Sequence, residues 1–143
     1  MTIESAIVTL LRTFTPLSAL VATRVYLDKL PQTPTYPCVR VTLIDEQEGY
    51  HVRGGTAVKT SRVQVDAFAK ELSGVDPYAL AAAVADAIHG DEAGSGLSGY
   101  QGSFGSPAIE IQGVFRMDRR RYYDPDELRV LTMSQDYQVA YRA

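Results

Sequence analysis

The segment Ser61–Ala69 constrains the fold of this chain more than any other. Val63, Val65, Ala67 and Ala69 fall on one face of an extended chain, and Arg62, Gln64, Asp66 and Phe68 fall on the other. A period of two predicts a strand with one face turned to a core and the other away from it. The same period starts at Cys38, where Val39, Val41 and Leu43 alternate with Arg40 and Thr42. Two such strands in succession predict an antiparallel pair, with residues 45–59, rich in glycine and charge, as a long arm between them.

The rest of the chain must cover the apolar side of that pair. Ile3, Ile7, Leu10, Leu11 and Phe14 recur at helical spacing and predict an amphipathic helix over residues 2–14. Thr15-Pro16 reads as an N-cap followed by proline, opening a short helix through Val21. Residues 24–37, with prolines at 31, 34 and 37, read as an extended connection. Asp76-Pro77 predicts the start of an alanine-rich helix that runs to about His89 and stops at Gly90. Residues 90–107 are rich in glycine and serine, without periodicity. Two further strands follow. In the first, Ile109, Ile111, Phe115 and Met117 alternate with Glu110, Gln112, Arg116 and Asp118. After a turn at Asp124-Pro125, Leu131, Met133, Tyr137, Val139 and Tyr141 alternate with Thr132, Ser134, Asp136 and Gln138. The expected fold is a single α+β domain over residues 1–143, in the order α(α)-β-β-α-β-β. Its four-stranded, mainly antiparallel sheet carries the helices on one face.

Bulk properties exclude several classes. A chain of 143 residues buries roughly 70% of its unfolded surface, so a core forms without disulfide or metal staples. The net charge of −3 argues against a dedicated binder of nucleic acid or anionic membrane. Cys38 is the only cysteine, which excludes an internal disulfide and fits folding in a reducing cytoplasm. The first fourteen residues lack a basic leader and a cleavage site, and no segment approaches the roughly 20 apolar residues of a membrane span.

Candidate chemistry fails on context. Gly94-Ser95-Gly96-Leu97-Ser98-Gly99 has the spacing of a dinucleotide fingerprint, but its glycines follow a helix and lead into a strand, the reverse of what pyrophosphate binding needs. Gly96-Leu97-Ser98-Gly99-Tyr100 lacks the last glycine and the strand-to-helix turn of a nucleophile elbow. Cys38, His51 and His89 are scattered singly, so no zinc set forms, and the acidic run at 124–127 lacks the calcium-loop pattern. No catalytic residue, cofactor or metal is expected. Arg116, Arg119, Arg120 and Arg121, beside Tyr122 and Tyr123, can grip phosphates or anchor a protein interface; the flanking Asp118 and Asp124 favour the interface.

Taken in order, Arg24-Val25-Tyr26, Leu30-Pro31-Gln32, Pro37, Arg62-Val63-Gln64-Val65-Asp66, Phe68-Ala69, the helix 76–89, Tyr122-Tyr123-Asp124 and Tyr137-Gln138-Val139-Ala140-Tyr141 resemble the tail terminator, or tail completion, proteins of long-tailed bacteriophages. The resemblance covers roughly residues 3–142. It implies a structural virion protein at the head-proximal end of the tail, assembled in the host bacterial cytoplasm. Such a protein forms a hexameric ring on the last ring of the major tail tube protein, ends tube growth and offers a docking surface to a head-completion or connector protein. DNA passes through the lumen without being read, and no membrane is involved. A closed ring needs two different complementary patches on each subunit. The candidates are Arg40, Arg62, Asp66, Arg116, Asp118 and Arg120 on the strands, and Tyr50, His51 and Arg53 in the arm. The arm and the loop 90–107 are expected to order on docking. Two other readings stay open. One is another head–tail adaptor, neck or tube subunit, disfavoured by the lack of a long inserted hairpin; the other is a small-ligand or nucleotide-binding module using the glycine loop.

Overall fold

The computed structural model describes residues 2–51, 54–70, 77–88, 102–104, 109–124 and 130–142. Helix α1 spans Ile3–Thr13. It starts where the Thr2 hydroxyl accepts a hydrogen bond from the Ser5 amide, and Glu4 in the first turn and Arg12 in the last suit the helix dipole. Its apolar face, Ile3, Ala6, Ile7 and Leu11, is fully buried. Phe14 ends α1, its amide donating to the Leu10 carbonyl, and serves at once as N-cap of α2, Thr15–Val21. The cap therefore sits one residue before the expected Thr15, and no side chain closes it. The cap positions expected around α3, Asp76, His89 and Gly90, lie outside the described residues; the helix itself is Pro77–Ile88.

Six strands form one sheet: β1 Val25–Leu27, β2 Cys38–His51, β3 Gly54–Lys70, β4 Gly102–Phe104, β5 Ile109–Asp124 and β6 Val130–Arg142. Their spatial order is β1-β2-β3-β6-β5-β4, with β1 parallel to β2 and every other pair antiparallel. The α+β class and the four long strands are as expected, but the sheet is not four-stranded. Strand β1 lies inside the expected connection 24–37 and β4 inside the glycine-rich stretch; three residues are too few to carry a period.

Residues 45–59 differ more. The described ones, 45–51 and 54–59, are not a loose arm: they continue β2 and β3, which stay paired as far as Tyr50 opposite Gly55 and His51 opposite Gly54. Irregularities at Leu43/Asp45 and Glu48/Tyr50 break the alternation there, which hides a strand from a period-two reading. A further bulge between Ile111 and Gly113 reverses β5. One extra residue exchanges the faces of everything after it. Val114 therefore turns inward, buried opposite Val139, and Phe115 turns outward with 61% of its surface exposed. The expected alternation had grouped Phe115 and Met117 with Ile109 and Ile111.

All three helices cover one face of the sheet. There α1, α2 and α3 close over Val39, Val41, Val63, Val65, Ala67, Ala69, Met133, Tyr137 and Val139. Gln135 is a polar residue inside this core, and both ends of its amide are satisfied. Its Nε2 donates to the Ala81 carbonyl of α3 at 3.1 Å, and its Oε1 accepts from the Tyr137 hydroxyl at 2.9 Å. Burial pushes the Tyr137 hydroxyl pKa upward. Arg12 fastens α1 to the sheet by donating to the Val25 carbonyl at 2.6 Å.

Ile7→Ala removes a side chain with no exposed surface between α1 and the sheet; it should cost about 2–5 kcal/mol in urea unfolding. Burial also pushes the Cys38 thiol up to about 11 from 9.0, against the weaker opposing pull of Arg24 and Arg40. The neutral thiol is thus favoured in the fold, a contribution present below pH 9.0 and lost as pH rises towards about 11. At pH 8 iodoacetamide should leave native Cys38 unmodified and alkylate it in urea.

Candidate functional site

The face of the sheet turned away from α1, α2 and α3 carries most of the charged residues singled out in the sequence. Their positions follow from the ladders. Arg40 lies opposite Asp66, Asp66 opposite Ser134, and Ser134 opposite Arg120, one row across β2, β3, β6 and β5. The next row holds Thr42, Gln64, Asp136 and Asp118. Arg62 comes one row further on, opposite Asp45 and Gln138.

Two carboxylates are sunk into this surface. The side chains of Asp66 and Asp136 are 1% and 3% exposed, although α1, α2 and α3 all lie on the other face. Arginines cover and neutralise them. Arg40 donates from Nε and Nη2 to Asp66 Oδ2 at 3.1 and 2.7 Å, and its guanidinium also stands 5.3 Å over the Phe68 ring. Asp66 Oδ1 accepts from Gln64 Nε2 at 2.9 Å and from the Ser134 hydroxyl. Asp136 takes Arg62 on Oδ2 at 2.6 Å and Arg120 on Oδ1 at 3.2 Å. Arg120 reaches back to Asp118 at 3.2 Å, which closes the network. Three arginines balance three aspartates, so the cluster is neutral. Hydrogen bonding to Asp136, ahead of its charge, raises the Arg62 pKa. The Nε of Arg120 is buried without a hydrogen-bond partner.

Five of the expected residues thus meet: Arg40, Arg62, Asp66, Asp118 and Arg120. Arg116 does not join them. The bulge described above and a second between Arg116 and Asp118 place it on the helix face opposite Tyr137, while Asp118 returns to the open face. Arg121 also lies on the helix side, where it bonds the Tyr78 hydroxyl of α3 and stacks on its ring. Tyr50 and His51 stand at the far end of the hairpin, opposite Gly55 and Gly54. Arg53 lies outside the described residues. The sequence reading missed Asp136 and Ser134 as members. Each was visible as a polar residue of an alternating strand, but only the adjacency of β3 and β6, distant in sequence, brings them to the arginines.

This arrangement is poor in reactive groups. The buried carboxylates are held by guanidinium groups, which suits a charged scaffold better than a general base. Two clefts among the described residues have volumes of about 160 and 200 Å³. Both fall short of the roughly 300 Å³ at which small-molecule pockets begin. The first lies beside the network, between Asp45, Gln47, Thr60, Arg62, Met117 and Gln138. The glycine stretch 94–99 lies outside the described residues. No helix among the described residues is long and apolar enough to cross a membrane.

The network gives an asymmetric mutational expectation. Asp66→Asn leaves Arg40, about one third exposed, able to turn to water. Arg40→Met strands a buried carboxylate on Gln64 and Ser134 alone, and removing one partner of a buried pair costs roughly 3–5 kcal/mol. Arg40→Met should therefore lower urea stability more than Asp66→Asn, and the double substitution should recover part of the loss.

Comparison with known proteins follows the same direction. Curated proteins give no match. Among solved structures, a chain described as "Virion of native gene transfer agent (GTA) particle" superposes with a TM-score of 0.65 at 18% identity, covering 99% of this chain and 95% of that one. At this identity the likeness establishes the fold. The family profile of the tail completion protein gp17 matches residues 5–142. The chain therefore belongs to the tail completion protein gp17 family and is a structural component of the tail of a phage-like virion.

Proposed function

We propose that the chain forms a hexameric ring on the end of the tail tube, halts addition of further tube rings and presents a docking surface to the head connector. Family membership supports the place of action, and the open face of the sheet carries the reading. None of α1, α2 and α3 covers that face, and its charges are locked in fixed positions before any partner arrives. Phe115, Met117 and Tyr122 stand exposed on the adjoining strand, at 61%, 56% and 53%. A fixed charged surface beside exposed large apolar groups suits contact with protein. No step requires a catalytic residue or a cofactor. DNA passes through the lumen unread.

A tube or neck subunit is the second reading, and one observation favours it. The absence of a long inserted hairpin was the argument against such a subunit, yet β2 and β3 form a hairpin running to His51 and Gly54. Immunogold labelling of intact particles separates the two, because a terminator labels one end of the tail and a tube subunit its whole length.

Particles assembled without this protein should carry tubes of irregular length that do not join heads, and adding the purified protein should restore joining. Electron microscopy of negatively stained particles gives the readout. Headed particles with tails of normal length, made in its absence, would sink the proposal.

A further inference from the structure

Among the described residues, the two edges of the sheet are bare over most of their length, and they differ in charge. Strand β1 covers β2 only at residues 39–41, and β4 covers β5 only at residues 109–111. Among the described residues, no other segment forms a ladder with the outer side of β2 from 42 to 51 or of β5 from 112 to 124. Bare edges are templates for pairing with another chain, and proteins guard them with charge and bulges. Here the guards are of opposite sign. Residues 42–51 of β2 contain Asp45, Glu46 and Glu48 and no lysine or arginine, while residues 112–124 of β5 contain four arginines against two aspartates. Arg116 and Arg119 form no ion pair with another described residue.

We infer that these edges are the two halves of one joint: the β5 edge of one copy pairs with the β2 edge of the next. The inference rests on the ring reading above and specifies its contact. Like-charged edges repel, so β2 against β2 would set three acids on three acids, and β5 against β5 would set arginines on arginines. Only the mixed pair brings opposite charges together. Glu46 and Glu48 share the helix face of their edge, since Glu46 reaches the Tyr141 hydroxyl there. Arg116 and Arg119 occupy the helix face of the other edge, opposite Tyr137 and Gln135. A neighbour that keeps the same face towards the helices therefore sets glutamates beside arginines. Strand direction agrees as well. Three antiparallel steps separate β2 from β5, so the two run in opposite directions. A neighbour related by rotation about an axis along the strands then presents β2 antiparallel to β5. Such a head-to-tail contact uses two different patches and can close into a ring. The bulges, two on each strand, limit the regular ladder to short stretches, which leaves charge to select the partner.

Charge exchange tests the joint. Arg116→Glu with Arg119→Glu makes both edges acidic, and Asp45→Lys with Glu48→Lys makes both basic. Native mass spectrometry should find each variant monomeric, with the circular dichroism of the wild type, and an equimolar mixture should recover rings of alternating subunits. If the wild type assembles only on tubes, the same series is read from rings on tube ends. Rings formed by either variant alone, or a mixture of folded variants that stays monomeric, would overturn the joint while leaving the ring reading intact. A wild type that forms no ring alone or on tubes overturns both. Loss of duplex DNA binding with rings retained in the arginine variant would assign the basic edge to nucleic acid instead. Should a reversed variant fail to fold, Arg116→Gln with Arg119→Gln replaces it. Its rings should be weaker and less sensitive to salt than those of the wild type, and unchanged rings would overturn the joint.

Discussion

The ladder between β3 and β6 is the contact on which the rest of the molecule depends. It runs without interruption from Val58 opposite Arg142 to Lys70 opposite Val130. Each of the two outer hairpins, β2–β3 and β5–β6, joins strands that are neighbours in sequence. The central ladder joins the hairpins to each other across some seventy residues, and nothing local specifies it. Both faces are built by its closure. On one side it puts Val63 beside Tyr137 and Val65 beside Gln135, which gives the helices a surface to cover. On the other it puts Asp66 beside Ser134 and Gln64 beside Asp136, which places each carboxylate within reach of arginines from neighbouring strands.

The two faces solve the same problem by different chemistry. Under the helices, burial of valine, isoleucine and leucine supplies the stabilisation, and Gln135, a polar intrusion there, has a partner for each end of its amide. On the open face the burying groups are themselves charged: the stems of Arg40, Arg62 and Arg120 shield the aspartates while their heads stay partly in water. A neutral set of fixed ion pairs keeps the surface polar yet ordered, with its charges positioned before any neighbour approaches.

Much of this was legible in the sequence where the period was clean. Val63 to Ala69 and Met133 to Tyr141 were assigned to the correct faces because neither run contains an irregularity. Legibility ended at bulges and at short pieces. The extra residue near Gly113 exchanged the faces of Phe115 and Arg116, and the irregularities near Asp45 and Glu48 disguised the end of β2 as a loop. Strands β1 and β4 were too short to show a pattern. The charged residues were recognised individually, but Asp136 joined them only through the central ladder, which no local signal encodes.

The closed circuit of Asp66, Asp136 and their arginines also bears on how such a sequence can diverge. A change at Arg40, Gln64 or Ser134 alters the hydrogen bonds of one shared carboxylate, and a change at Arg62 or Arg120 alters those of the other. Arg120 and Gln64 bridge the two halves. Substitutions at these positions are therefore tolerated jointly rather than singly, and descendants should preserve or replace the set as a block spread over four strands. Exposed positions beside it, such as Phe115 and Tyr122, carry no such obligation to the fold and are left to follow whatever surface they meet.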